Sequence, residues 1–271
     1  TALCGGALAL CGAAMQGLLR NPLADGSTLG VSAGASLGAV TALLLGISFP
    51  GLPFAGTMII AMLFALGSLI LILSLSYAAD RGMSTQTIIL MGVVLSMFVT
   101  SIISLLTAFS GDKLRSITFW TMGSLSGAGY TETLVLLGAL AVFGGVLLSR
   151  ADELNAFSLG EDAARHMGVA VRPVKLTVLV CVAALIGVCV SVGGSIGFVG
   201  LIVPHAARLF TGANHRRVLP LSLFMGAVFL MLADLLARTV VSPIELPIGV
   251  VTSLVGAVAF VVIFFRRRRP C

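Results

Sequence analysis

Nine apolar stretches, at roughly 1–19, 28–48, 54–79, 87–109, 131–149, 173–192, 199–210, 219–240 and 248–265, take up most of the chain, each bounded by Gly, Pro or charge. A helix of about 20 apolar residues matches the ~30 Å hydrocarbon core of a bilayer. The pattern predicts an all-α, polytopic transmembrane helical bundle, one domain over 1–271. Composition excludes the soluble alternative. Of 271 residues 58% are hydrophobic and 10% charged, against about 25% charged in soluble domains. The 32 glycines suit helices packed closely in lipid.

The seventh stretch holds only about 12 residues, roughly 18 Å of helix, so it has to be a half-crossing or a broken helix. It belongs to the run Gly193–Arg208, which places Gly197, Gly200, Pro204, His205 and Arg208 at membrane depth. Helix breakers and ionisable groups are costly there unless protein or water surrounds them, so the run points to a transport pathway. His205 reads as a group satisfying broken backbone ahead of a proton relay, because His166 and His215 lie elsewhere and no metal cluster forms.

The net charge of +6 reports topology first. Thirteen of the sixteen basic residues fall on one side, at Arg20, Arg81, Arg150, Arg165, Arg172, Lys175, Arg208, Arg216, Arg217 and Arg266 to Arg269, and only Lys113, Arg115 and Arg238 fall opposite. The C-terminus is then cytoplasmic. The first apolar run starts abruptly at Thr1, so one further helix is expected upstream. The C-terminal arginines suit lipid headgroups, and no basic stripe interleaved with aromatics points to nucleic acid.

Several polar constellations stand out from the spans. Asn21-Pro22-Leu23-Ala24-Asp25 is a helix stop or a gate at a pore mouth, and Gly26, Gly30, Gly34 and Gly38 make a ladder suited to close packing. The connection 150–172 reads as short cytoplasmic helices, with a capping-box start at Ser158 and Glu161 and a stop at Gly168. Leu159, Ala163 and Met167 beside charge make it a docking element or a plain connector. Asp234 and Arg238, four apart, read as a neutralising pair, and Glu245 caps a helix or offers charge to a partner. The five cysteines read as small buried hydrophobes. No phosphate-loop sequence is present, no cofactor or metal is implied, and energy for active transport has to come from a partner or a gradient.

Six motifs in order carry a resemblance across nearly the whole chain: Gly17 to Asp25, Leu29 to Ala35, Trp120 to Ser124, Ser158 to Glu161 with Met167-Gly168, Gly197 to His205, and Glu245 to Thr252. Together they resemble the FecCD-type permeases, membrane subunits of ATP-binding-cassette importers for iron-siderophores, haem and cobalamin. The resemblance implies ten helices per subunit and a permease dimer, homodimeric or with a related paralogue. It also implies two cytoplasmic ATP-binding subunits, a periplasmic or lipid-anchored substrate-binding protein, and the bacterial inner membrane. Asn21, Leu23, Thr85 and Gln86 match the family's gates. Ser158, Leu159, Gly160, Glu161, Ala164, Met167 and Gly168 match its ATPase-coupling helices, and Arg238, with Glu245, its binding-protein docking face. Gly26 departs from the family's usual proline.

The implied activity is uptake of an iron chelate, siderophore first, by alternating access with no covalent chemistry. The competing class, an ion-gradient-driven secondary transporter, needs a midplane ion site and an inverted repeat, neither of which the sequence displays.

Overall fold

The computed structural model describes residues 1–47 and 53–266; the expected lipid-contacting residues Arg267 to Arg269 and Cys271 lie outside them. The chain order is α1 (Ala2–Leu18), a 3-10 turn (Gly26–Leu29), α2 (Val31–Leu45), α3 (Pro53–Ala79), α4 (Thr85–Ala108), α5 (Leu114–Thr121), α6 (Tyr130–Ala139) and α7 (Gly145–Ser149). There follow α8 (Ala151–Ser158), α9 (Glu161–His166), α10 (Val171–Gly193), α11 (Val199–Thr211), α12 (His215–Thr239) and α13 (Ile248–Arg266). A π turn over Leu140–Gly144 joins α6 to α7 into one apolar rod. Among the described residues, five apolar helices are long enough to cross a bilayer and four are shorter. They coincide with the nine stretches read from the sequence, and α11, at 13 residues, is the short one.

Small side chains decide which helices are central. Helix α1, ALCGGALALCGAAMQGL, is buried over most of its length because Ala, Gly and Cys let neighbours approach from every side. A Cβ on Gly5 would stand 2.2 Å from the Gly226 carbonyl oxygen, and one on Gly12 would stand 1.9 Å from that of Gly200. Helix α10 is the other central element, whereas α3, α4 and α12 leave most of their apolar surface uncovered. The glycine ladder does the packing expected of it only in part. Gly34 and Gly38 meet the backbone of α3, Gly30 sits at φ +69° as the N-cap of α2, and Gly26 faces Ile186 of α10. Cys4, Cys11, Cys181 and Cys189 are buried free thiols.

The bundle has two dissimilar ends. One gathers Arg20, the 80–84 turn, α8, α9 and the 212–215 turn, and residues 23–26 run inward from it toward Ile186 and Gly200. The other gathers α5 with the turns at 122–129, 194–198 and 240–247.

Candidate functional site

At the first end, α1 stops in a turn built by its own side chain. Arg20 adopts φ +51°, Asn21 Oδ1 accepts the Leu23 N–H at 2.9 Å, and the Ala24 N–H reaches the Asn21 carbonyl at 3.0 Å. This is an Asx turn, which reverses the chain after α1 and occupies the Asn21 side-chain oxygen. Leu23 is left half exposed. It lines a cavity of about 290 Å³ together with Asp25, Gly197 and Phe198. The expected gate turn and the glycine run therefore border one space.

The second expected gate lies at the start of α4. Asp80 accepts the Gly82 N–H at 2.8 Å and the Ser84 N–H at 2.9 Å, and Ser84 caps α4 by accepting from the Thr87 N–H. The Ser84 amide and hydroxyl, then the Gly82 amide and the Lys175 charge, hold the Asp80 carboxyl below its ordinary pKa. Gln86 is exposed. Thr85 donates its hydroxyl to Glu161 Oε1 at 3.1 Å. The same Glu161 oxygen accepts from Lys175 Nζ at 2.6 Å, and Lys175 also donates to the Met83 carbonyl at 3.0 Å. The Lys175 side chain is 4% exposed. The apolar context of α10 gave no sign of this lysine's role, because its partners come from two other elements.

The segment 150–168 forms two helices, but not by the expected start. Ser158 closes α8 by donating to the Leu154 carbonyl, so the capping-box reading of Ser158 and Glu161 is corrected: Gly160, at φ +118° and ψ 153°, is the N-cap of α9. A side chain at that φ is strained, and Arg20 lies beside it. The stop at Gly168 holds. Its N–H reaches Arg165 O, the Val169 N–H reaches Ala164 O, and φ is +84°, a Schellman closure. Leu159 is 68% and Met167 53% exposed, while Ala164 is fully buried. Glu161 points inward to Thr85 and Lys175. Asn155 accepts the His215 N–H and donates to Asn214, and Arg216 forks onto Asp152 at 2.5 Å, fastening α8 to the head of α12 and holding the Asp152 carboxyl below its usual range.

The Gly193–Arg208 run is an entry turn followed by a short helix. Pro204 cannot donate to the Gly200 carbonyl one turn back. That carbonyl takes Gln16 Nε2 at 3.2 Å, the Leu201 carbonyl takes it at 3.1 Å, and Gln16 Oε1 accepts from Arg208. Gln16 thereby satisfies two backbone carbonyls beside Pro204. His205 borders a cavity of about 160 Å³ with Arg20, Pro22 and Ser158.

At the opposite end, Arg238 pairs with Asp234 at 3.1 Å, the neutralising reading, and lies 3.9 Å from Glu245. Glu245 thus meets a charge at its own end of the bundle. Lys113 Nζ donates to the Leu43 and Leu44 carbonyls at 3.2 and 2.7 Å, closing the C-terminus of α2. No group of three or more His, Cys, Asp or Glu able to hold a metal occurs among the described residues.

A bundle of apolar helices about a core of small residues, with one short span and two short helices outside the spans, defines a polytopic helical membrane protein of the transport class. Residues 1–266 match the FecCD transport family; the chain belongs to that family and is a permease subunit of an ATP-binding-cassette importer. It is 45% identical over 268 residues to the uncharacterized ABC transporter permease YvrB of Bacillus subtilis strain 168, covering 99% of this chain and 76% of the relative. The molybdate import permease MolB of Haemophilus influenzae strain Rd is 38% identical, with 99% and 79% covered. The hemin transport permease HmuU of Yersinia pestis is 39% identical, with 97% and 79% covered. A solved inward-facing metal-chelate type ABC transporter superposes at TM-score 0.90 with 36% identity, over 98% of this chain and 83% of that one.

Proposed function

We propose that the chain imports an iron chelate, a siderophore before haem or cobalamin, as half of a permease dimer in the bacterial inner membrane, with the α8–α9 end and the C-terminus cytoplasmic. Two ATP-binding subunits dock on α8 and α9 through Leu159 and Met167, and a substrate-binding protein docks on the opposite end at Arg238 and Glu245. Thr85, Gln86, Asn21 and Leu23 gate the inner mouth. The cycle is alternating access: ATP closes the ATPases, α9 moves, and the turns at 20–25 and 80–85 open or shut around the pathway. The observation that carries this reading is the junction at Glu161, where a helix with exposed apolar tips meets the turn holding Thr85.

The apolar border of the Leu23 cavity supports cargo passing by weak contact, since conduction demands weak binding. Similarity to a metal-chelate transporter and to a hemin permease supports the chelate class, while the molybdate relative makes a bare oxyanion the sharpest competitor. The test is uptake into vesicles holding the permease with its ATPase and binding protein, across ferric siderophores, haem, cobalamin and molybdate. ATP-dependent accumulation of a ferric siderophore is expected. Uptake of molybdate alone would overturn the cargo, and uptake that follows an ion gradient without ATP would overturn the mechanism.

A further inference from the structure

The geometry points to Lys175 as a positioning residue that clamps the α4 gate turn to the coupling helix, so that α9 cannot shift without pulling on residues 83–85. This deepens the reading under Proposed function and rests on it. Two bonds meet at one ammonium group and a third joins its partner carboxylate. Lys175 donates to Glu161 on α9 at 2.6 Å and to the Met83 carbonyl at 3.0 Å, and Glu161 completes a triangle by accepting from Thr85 at 3.1 Å. The lysine is 3% exposed, so water competes little for these bonds, and hydrogen bonds to ionised groups are the strong ones.

The geometry on the gate side is suited to transmit force. Met83 is buried and holds φ +50°, a conformation a non-glycine residue keeps only where its surroundings impose it. On one side Asp80 clamps the amides of Gly82 and Ser84; on the other, the Ser84 hydroxyl caps α4. A pull on the Met83 carbonyl is therefore delivered to a stiff turn continuous with a 24-residue helix. On the coupling side Glu161 is the first residue of α9, directly after Gly160, so the clamp grips α9 at its pivot. No other ion pair among the described residues joins α9 to an element outside 150–170.

The experiment uses the assembled transporter and reads cargo accumulated per ATP hydrolysed. Lys175→Met keeps the stem and removes the donors; it should leave ATP hydrolysis within about twofold and cut cargo per ATP at least fivefold. Glu161→Gln keeps both acceptor geometry and size, and should cut it about twofold to threefold. Thr85→Val, losing one bond, should cut it less than twofold. A Lys175→Met transporter with unchanged cargo per ATP, or a Thr85→Val defect as large as that of Lys175→Met, overturns the clamp.

Amide hydrogen exchange on the full-length permease alone provides a second readout. Lys175→Met should speed exchange at residues 83–86 and 161–164 together, with the rest of α10 unchanged. Acceleration at only one of the two segments, or across the whole chain, also overturns it. If the wild-type complex shows no ATP-driven uptake, the transport reading fails, and the exchange result still decides whether the clamp exists. If Lys175→Met does not fold, Glu161→Gln decides by the same two readouts.

Discussion

The two ends of the bundle are tied by different kinds of bond. At the Arg238 end, besides the Lys113 ties to α2, the turns are stitched backbone to backbone: the Ser124 N–H meets Gly193 O at 2.9 Å, the Ile248 N–H meets Gly123 O at 3.0 Å, and the Leu246 N–H meets Ala237 O at 2.9 Å. Glycines let these strands of chain touch. At the α8–α9 end the long-range ties are side chain to side chain or side chain to backbone, through Lys175, Glu161, Thr85, Asn155 and Arg216. Stitches of backbone are stiff, and they demand glycine where the segments touch. Side-chain ties can break and re-form at little cost in backbone geometry. The contrast teaches where motion costs least, and it favours the α9 end for any movement that transport requires.

The largest test compares two glycines at positive φ: Gly194, whose ψ of −161° puts it in an essentially glycine-only region, and Gly168, which closes a helix in the Schellman manner. Gly194 (φ +69°) would put a Cβ 2.2 Å from the Trp120 carbonyl oxygen, whereas Gly168 (φ +84°) has nothing within 4 Å. Alanine at 168 should cost only the left-handed strain, about 1–2 kcal/mol. Alanine at 194 adds a clash with backbone that cannot swing aside, for a total of roughly 3–5 kcal/mol. Unfolding in detergent measures both. Equal losses would show that the stitched end yields as easily as the other.

Gln16→Leu comes next. It strips the Gly200 and Leu201 carbonyls and Arg208 of a buried partner, at about 2–4 kcal/mol for the set. His205→Ala should cost less, in the same unfolding assay, because Gln16 holds the carbonyls opened by Pro204. The reverse ranking would make His205 the more important backbone partner in this run.

Leu159→Asp should leave folding within about 0.5 kcal/mol, as expected of a surface site, yet reduce co-purification of the ATP-binding subunit at least tenfold if Leu159 is an interface anchor. Undiminished co-purification would make α8 and α9 a connector.

Much of this was legible because lipid is a demanding solvent. Runs of apolar residues and the short seventh span, with Pro204 inside it, were visible at once. The polar couplings were not. Gln16 is a lone amide at the end of an apolar run, and its partner at Gly200 lies 184 residues away; Lys175 and Met83 are 92 apart. Sequence spacing also misled at Ser158, where serine and glutamate had capping-box separation. The chain reverses too sharply there for that box, and only glycine fits the φ of +118° at position 160. The exposed tips Leu159 and Met167 were legible as apolar residues among charges; that Ala164 turns inward was not.

The smallest effect expected is on pH. Asp80 accepts two amides of the 80–84 turn, and its folded pKa lies below its ordinary value of 3.8. For a carboxylate shifted downward, the stabilisation is fully present above the unfolded pKa and is lost as pH falls through the folded one. Between pH 7 and 5 the turn should therefore be unchanged, and its loosening should begin only below about 4. Because Asp80 is open to solvent, screening weakens the effect, and Asp80→Asn should abolish it while leaving the backbone-stitched end indifferent. Amide exchange at Gly82 and Ser84, followed from pH 7 to pH 3 and corrected for intrinsic rates, reads it directly. A turn that loosens already at pH 6, or equally in Asp80→Asn, would mean that a group other than Asp80 sets its pH response.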